Sequence, residues 1–187
     1  MRRRQLLHAA LIGTLGFVSS GHTPYRQWMV YRQRHLLILT DRSDPPSYPL
    51  GKRVAAVLAT HLPASKARVT RAPHTERIAS LISSKQLDVA LMSPPDAVAL
   101  AAGLSPFEAY GPVALRTLIV LDGYLLVCRD DFPARHAYAV TRTLDEHRDE
   151  LPQAAAAGAE PPAIPLHAGA LAYVEGAPSP AEAIPEP

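Results

Sequence analysis

Between residues 35 and 103 short apolar runs and amphipathic segments alternate three times, and each pair is separated by a turn-rich stretch. That rhythm limits the chain to a few architectures. His35-Leu36-Leu37-Ile38-Leu39-Thr40 is a short run, continuously apolar from Leu36 to Leu39, as expected for a strand covered on both faces. It runs into Asp41-Arg42-Ser43-Asp44-Pro45-Pro46-Ser47, a turn-rich loop. Val54, Val57, Leu58 and Leu62 follow at helical spacing, and Pro63 closes that helix. Residues 67–72 form a second, more amphipathic strand. A helix follows with Ile78, Leu81 and Ile82 on its apolar face and Thr75 as the expected N-cap. Residues 87–92 form a third strand. Ser93 then caps and Pro94 opens a third helix that ends at Gly103. Strand and helix alternating over so few residues call for right-handed crossovers and a parallel sheet.

The pattern changes after residue 114. Residues 115–121 and 124–129 are apolar and β-rich, and Asp122-Gly123 between them is a strong two-residue hairpin signal. The expected fold is therefore α/β: a mostly parallel sheet with an antiparallel hairpin and helices on both faces. A last long helix is expected over 134–151, apolar at Val140, Leu144 and Leu151. Its run Asp145-Glu146-His147-Arg148-Asp149-Glu150 forms a solvated face.

The two ends differ in composition from this middle. Residues 1–21 read as an export segment: basic Arg2-Arg3-Arg4, an apolar stretch from Leu6 to Val18, then the small residues Ser19 and Ser20. Signal cleavage and retention as an inner-membrane anchor both remain open, and the paired arginines allow a twin-arginine route. Residues 22–34 form a linker. Eight of the nineteen prolines fall in the last 36 residues. A linker at 152–163 and a disordered tail at 176–187 are expected there, because such composition buries too little apolar area to offset its ordering entropy. Residues 164–175 between them are apolar enough to dock on the α/β lobe at 35–151.

Charge and cysteine content exclude several classes. Without the three leader arginines the balance is 16 basic to 17 acidic residues, so the footprint of a nucleic-acid binder is missing. Cys128 is the only cysteine and lies in an apolar run, which rules out an internal disulfide and cysteine-paired zinc. GxSxG, P-loop, GxGxxG and HExxH motifs do not occur. No two histidines stand four apart to hold a metal from one helix. His167 reads as a packed, hydrogen-bonded histidine. The chain is therefore expected not to be an enzyme and to need no cofactor.

In an open α/β sheet, ligands bind beyond the carboxyl ends of the strands, against helix N-termini. Here the corresponding loops carry Thr40, Arg42, Ser47, Tyr48, Arg71, His74, Thr75 and Ser93. Hydroxyls, two guanidinium groups and three helix starts suit a small carboxylate-bearing molecule or an amino acid. In the plainer alternative Ser47, Thr75 and Ser93 are caps, and both arginines are surface charges.

Several stretches carry a family resemblance. Ile164-Pro165-Leu166-His167-Ala168-Gly169-Ala170-Leu171-Ala172-Tyr173, Tyr48-Pro49-Leu50-Gly51, the run from Leu81 to Leu91, and Leu126 to Pro133 with the helix after it resemble elements of the TAXI-type solute receptors. Those are the extracytoplasmic binding proteins of one class of TRAP transporters. The resemblance implies a periplasmic-binding-protein-like lobe outside the cytoplasm, a small-molecule ligand and a TRAP-type membrane permease as partner. The chain departs from the family in Asp44-Pro45-Pro46 and Pro73-His74-Thr75, where proline removes N–H groups that glycine-rich loops supply. It is also about half the length of members that close two lobes over their ligand. A single lobe supplies one wall of a cleft, and a homodimer completing it is left open. The alternative is a ligand-free single-lobe interaction or sensory module.

Overall fold

The computed structural model describes residues 35–121, 123–152 and 161–180. The expected leader and linker before residue 35, the alanine-rich stretch at 153–160 and the tail beyond 180 lie outside them.

Five strands form one sheet: β1 (Leu37–Asp41), β2 (Arg68–Ala72), β3 (Val89–Met92), β4 (Leu115–Leu121) and β5 (Tyr124–Arg129), in the spatial order β2-β1-β3-β5-β4. β2 and β3 flank β1 in parallel, with Ile38 opposite both Val69 and Val89. β5 runs antiparallel to β3 and to β4, so four strands point one way and β5 alone returns. It is the second strand of the hairpin that docks on β3, which leaves β4 outermost. The register slips around Leu118, and the Thr141 hydroxyl donates to the Leu118 carbonyl at 3.1 Å, satisfying the irregular backbone from the helix above.

Among the described residues five α-helices pack around the sheet: α1 (Ser47–His61), α2 (Thr75–Ser83), α3 (Pro94–Ala102), α4 (Ala134–Glu146) and α5 (Ala168–Val174). Alternate residues of the strands feed two cores, as a sheet buried on both faces requires. Ile38, Val89, Leu91, Leu126 and Cys128 pack with Val54, Leu58, Val140 and Leu144 under α1 and α4. Leu37, Leu39, Ala90, Leu125 and Val127 pack with Ile78, Ile82, Leu100 and Phe107 under α2 and α3. The mixed α/β sheet with helices on both faces thus agrees with the sequence reading.

Two helices sit unusually close to their neighbours, and glycine permits it. A Cβ on Gly51 would lie 2.5 Å from the Thr40 methyl beneath α1. A Cβ on Gly169 would lie 1.9 Å from the Ala134 carbonyl oxygen, where α5 meets the start of α4. The segment before α5 lies along the outer edge of β4: Thr117 N–H donates to the Pro165 carbonyl and His167 N–H to the Thr117 carbonyl. His167 is buried, accepts the Gly169 N–H at Nδ1 and faces the Phe132 ring edge-on, which is the packed role its apolar context suggested.

Helix ends bring two corrections. Ser93, Pro94 and Gly103 cap α3 as expected. Thr75, however, does not cap α2: it is the first helical residue, His74 occupies the cap position, and the Thr75 hydroxyl turns to another strand. The last long helix stops at Glu146 rather than continuing to 151. The His147 ring stacks on His61 with centroids 3.5 Å apart, and a separate 3-10 turn over Arg148–Glu150 brings Glu150 to His61.

Candidate functional site

The three parallel βα turns open on one rim, and the β4–β5 hairpin turn reaches the same rim because Met92 pairs with Leu125. At the centre lies a topological switch point. From β1 the chain moves first to β2 on one side, then crosses to β3 on the other, and ligands favour the crevice between such strands. A pocket of about 150 Å³ occupies this place, lined by Asp41, Asp44, Thr75, Ser93, Asp96 and Tyr124 over apolar Ile78, Leu91 and Met92.

Each carboxylate of the pocket is held by a hydroxyl from another loop or turn position. Asp41 ends β1 and is almost fully buried. It accepts the Ser43 N–H at 2.7 Å, the Ser43 hydroxyl at 2.6 Å and the Thr75 hydroxyl. Burial pushes its carboxyl upward, but these hydrogen bonds, with His74 nearby, outweigh it and hold Asp41 below the usual carboxylate range. Asp44 accepts the Tyr124 hydroxyl at 2.6 Å, so the hairpin is tied to the first loop. Asp96 accepts the Ser93 hydroxyl at 2.7 Å while its own N–H donates to Ser93, a reciprocal cap at the start of α3.

The eight residues expected on this rim divide into three groups. Thr75 and Ser93 line the pocket. Thr40 and Ser47 are buried framework. Thr40 donates to the Thr70 carbonyl, and Ser47 bridges Asp41 and Asp44 through their backbone, closing the loop before α1. Arg42, Tyr48, Arg71 and His74 stay outside the pocket. Arg71 sits over the Tyr48 ring with its guanidinium carbon 4.5 Å from the centroid, and His74 pairs with Glu76. Neither guanidinium therefore lines the pocket, and its charge is negative rather than positive.

Sequence reasoning passed over Asp41, Asp44, Asp96 and Tyr124. Asp41, Asp44 and Asp96 lay in the loops it had marked, whereas Tyr124 opens β5 after the hairpin turn. Looking for partners to a carboxylate ligand directed attention to cations and hydroxyls and away from the acids beside them. Chemically, the pocket offers a set of oxygen acceptors over an apolar base, an arrangement suited to an ammonium group or a polyol rather than an anion.

Cys128 has no chemistry to offer here. It is buried in the sheet, and burial together with Asp88 and Asp130 pushes its thiol well above the ordinary range. Among the described residues no group of three His, Cys, Asp or Glu side chains is placed to hold a metal ion, and no helix is long and apolar enough to cross a membrane. In comparison with known proteins, no family model and no curated protein matches the chain.

Proposed function

We propose that the chain is a single-lobe, TAXI-like solute receptor acting outside the cytoplasm beside a membrane permease, and that it takes the amino end of an amino acid or a similar small amine. The observation that carries this reading is the pocket at the β1–β3 switch point, where Asp41, Asp44 and Asp96 line a space of about 150 Å³, enough for an ammonium group and a small carbon skeleton. The family resemblance of residues 48–51, 81–91, 126–133 and 164–173 supports the receptor class. Pocket charge refines the ligand: a dicarboxylate would meet three carboxylates, whereas an ammonium would find acceptors already held in place by Thr75, Tyr124 and Ser93. Isothermal titration of the folded full chain with amino acids, small diamines and dicarboxylates tests it. Heat with the amine-bearing solutes alone supports the proposal. Silence toward all three classes, or preference for the dicarboxylates, overturns it.

One observation favours a second reading, a ligand-free interaction or sensory module. Every carboxylate of the pocket already receives a hydroxyl from the protein itself, so each has a hydrogen-bond partner without a solute. Capture of a membrane partner by the full chain with no solute added would support this module.

A further inference from the structure

No Asp or Glu occurs between residues 45 and 75, which supply α1 and β2. Lys52, Arg53, Lys66, Arg68 and Arg71 of this stretch are all exposed, and among the described residues none pairs with a carboxylate. Elsewhere in the described residues Lys85, Arg116, Arg129, Arg142 and Arg148 each meet an acid. Exposed cations left together without counter-charges form a field that an acidic partner would enter.

The same surface carries a free strand edge. β2 ends the strand order, and its far side meets no strand among the described residues. Arg68 N–H donates to the Leu36 carbonyl and the Ala72 carbonyl accepts the Arg42 N–H, so residues 68 and 72 direct their backbone groups toward β1. Alternation along a strand then turns the N–H and C=O of Val69 and Arg71 outward. Beside this edge the exposed stripe of α1 forms a shallow depression of about 410 Å³ lined by Tyr48, Pro49, Lys52, Arg53 and Ala56. Arg71 and Lys52 both lie over the Tyr48 ring, at 4.5 and 5.9 Å, joining the edge to the stripe.

We infer that the β2 edge and the outer stripe of α1 form a docking surface for an acidic, extended polypeptide segment of a partner protein, which adds to the sheet as a strand beside β2. The two halves of the observation select this occupant together. Outward N–H and C=O groups are matched by another peptide backbone, not by a nucleic-acid strand or a lipid headgroup. A second copy presenting the same edge would bring a second set of uncompensated cations to the same seam, so the charges disfavour self-pairing while admitting acids. The surface is separate from the rim pocket, and the inference stands whether or not that pocket binds a solute.

Fluorescence anisotropy of the full chain tests it with four labelled probes: a short peptide alternating Glu and Val, the same peptide with Lys for Glu, the Glu peptide N-methylated at alternate backbone nitrogens, and a DNA duplex. The Glu peptide is expected to bind, about tenfold or more tightly than the Lys and N-methylated forms, and to weaken about tenfold in a Lys52→Glu, Arg71→Glu variant that keeps its circular dichroism. Equal binding of the N-methylated peptide would show charge attraction without strand addition and overturn the inference. So would DNA binding as tight as the Glu peptide, no binding of the Glu peptide, or salt-sensitive self-association that blocks it.

Discussion

The Tyr124 hydroxyl donates to the Asp44 carboxylate at 2.6 Å, linking the hairpin at one end of the fold to the loop that follows its first strand, 80 positions away. That bond fixes one wall of the rim pocket to the other. Removing it in Tyr124→Phe leaves the ring in place and takes away a donor from a half-buried carboxylate. Urea denaturation is expected to show a loss of about 1–2 kcal/mol, with no change in the slope of the transition. An unchanged midpoint would mean that water replaces the hydroxyl without cost.

Asp41 makes the fold sensitive to acid in a definite direction. Its carboxyl is held below the usual range, so its contribution is complete at pH values above the ordinary carboxylate pKa of about 3.9 and is lost as pH falls through the lowered folded value. Asp41→Asn removes that dependence. Urea midpoints from neutral pH down to the acid limit should fall less steeply for the variant than for the parent, while the variant is the less stable of the two near neutrality. Parallel curves would show that Asp41 is not the group responsible.

Close helix packing predicts two costly small substitutions. Gly51→Ala places a methyl 2.5 Å from the buried Thr40 methyl, and Gly169→Ala places one 1.9 Å from a backbone oxygen that has little room to retreat. Gly51→Ala is expected to cost about 1–3 kcal/mol and Gly169→Ala more than that, although alanine favours helices over glycine by about 1 kcal/mol. Thermal melts of the two variants beside the parent check both the sign and the order.

Cys128 should be silent to thiol reagents. With its thiol buried and pushed up, the folded chain at neutral pH is expected to react only as fast as it unfolds, and fully in denaturant. Prompt reaction of the folded chain would place Cys128 nearer the surface than its zero exposure allows.

Local signals in the sequence were dependable where a residue acts on its own neighbours. Ser93, Pro94 and Gly103 bracket α3 because capping and left-handed backbone are decided within one turn. The Asp122-Gly123 pair marks the hairpin between β4 and β5 for the same reason. Long-range partners escaped it. Nothing within a turn of Thr75 says that its hydroxyl will leave the α2 cap for Asp41, 34 positions earlier. The charged run at 145–150 reads as one helical face, yet stacking of His147 on His61 and the bond from Glu150 to His61 turn it aside. The pocket's sign was missed similarly: Arg71 lies in a marked loop region but stacks on Tyr48, while the acids beside it turn inward.

Locating the bound amine by amide NMR is the most direct test. As a small diamine or amino acid is titrated into the full chain, the amides of Ser43, Thr75, Ser93, Asp96 and Tyr124 are expected to shift together and saturate. Those of Lys52, Arg53 and Arg71 should stay still, and Asp96→Asn should weaken the response. Shifts confined to the α1–β2 face, or no shifts at all from a folded chain, would contradict the account.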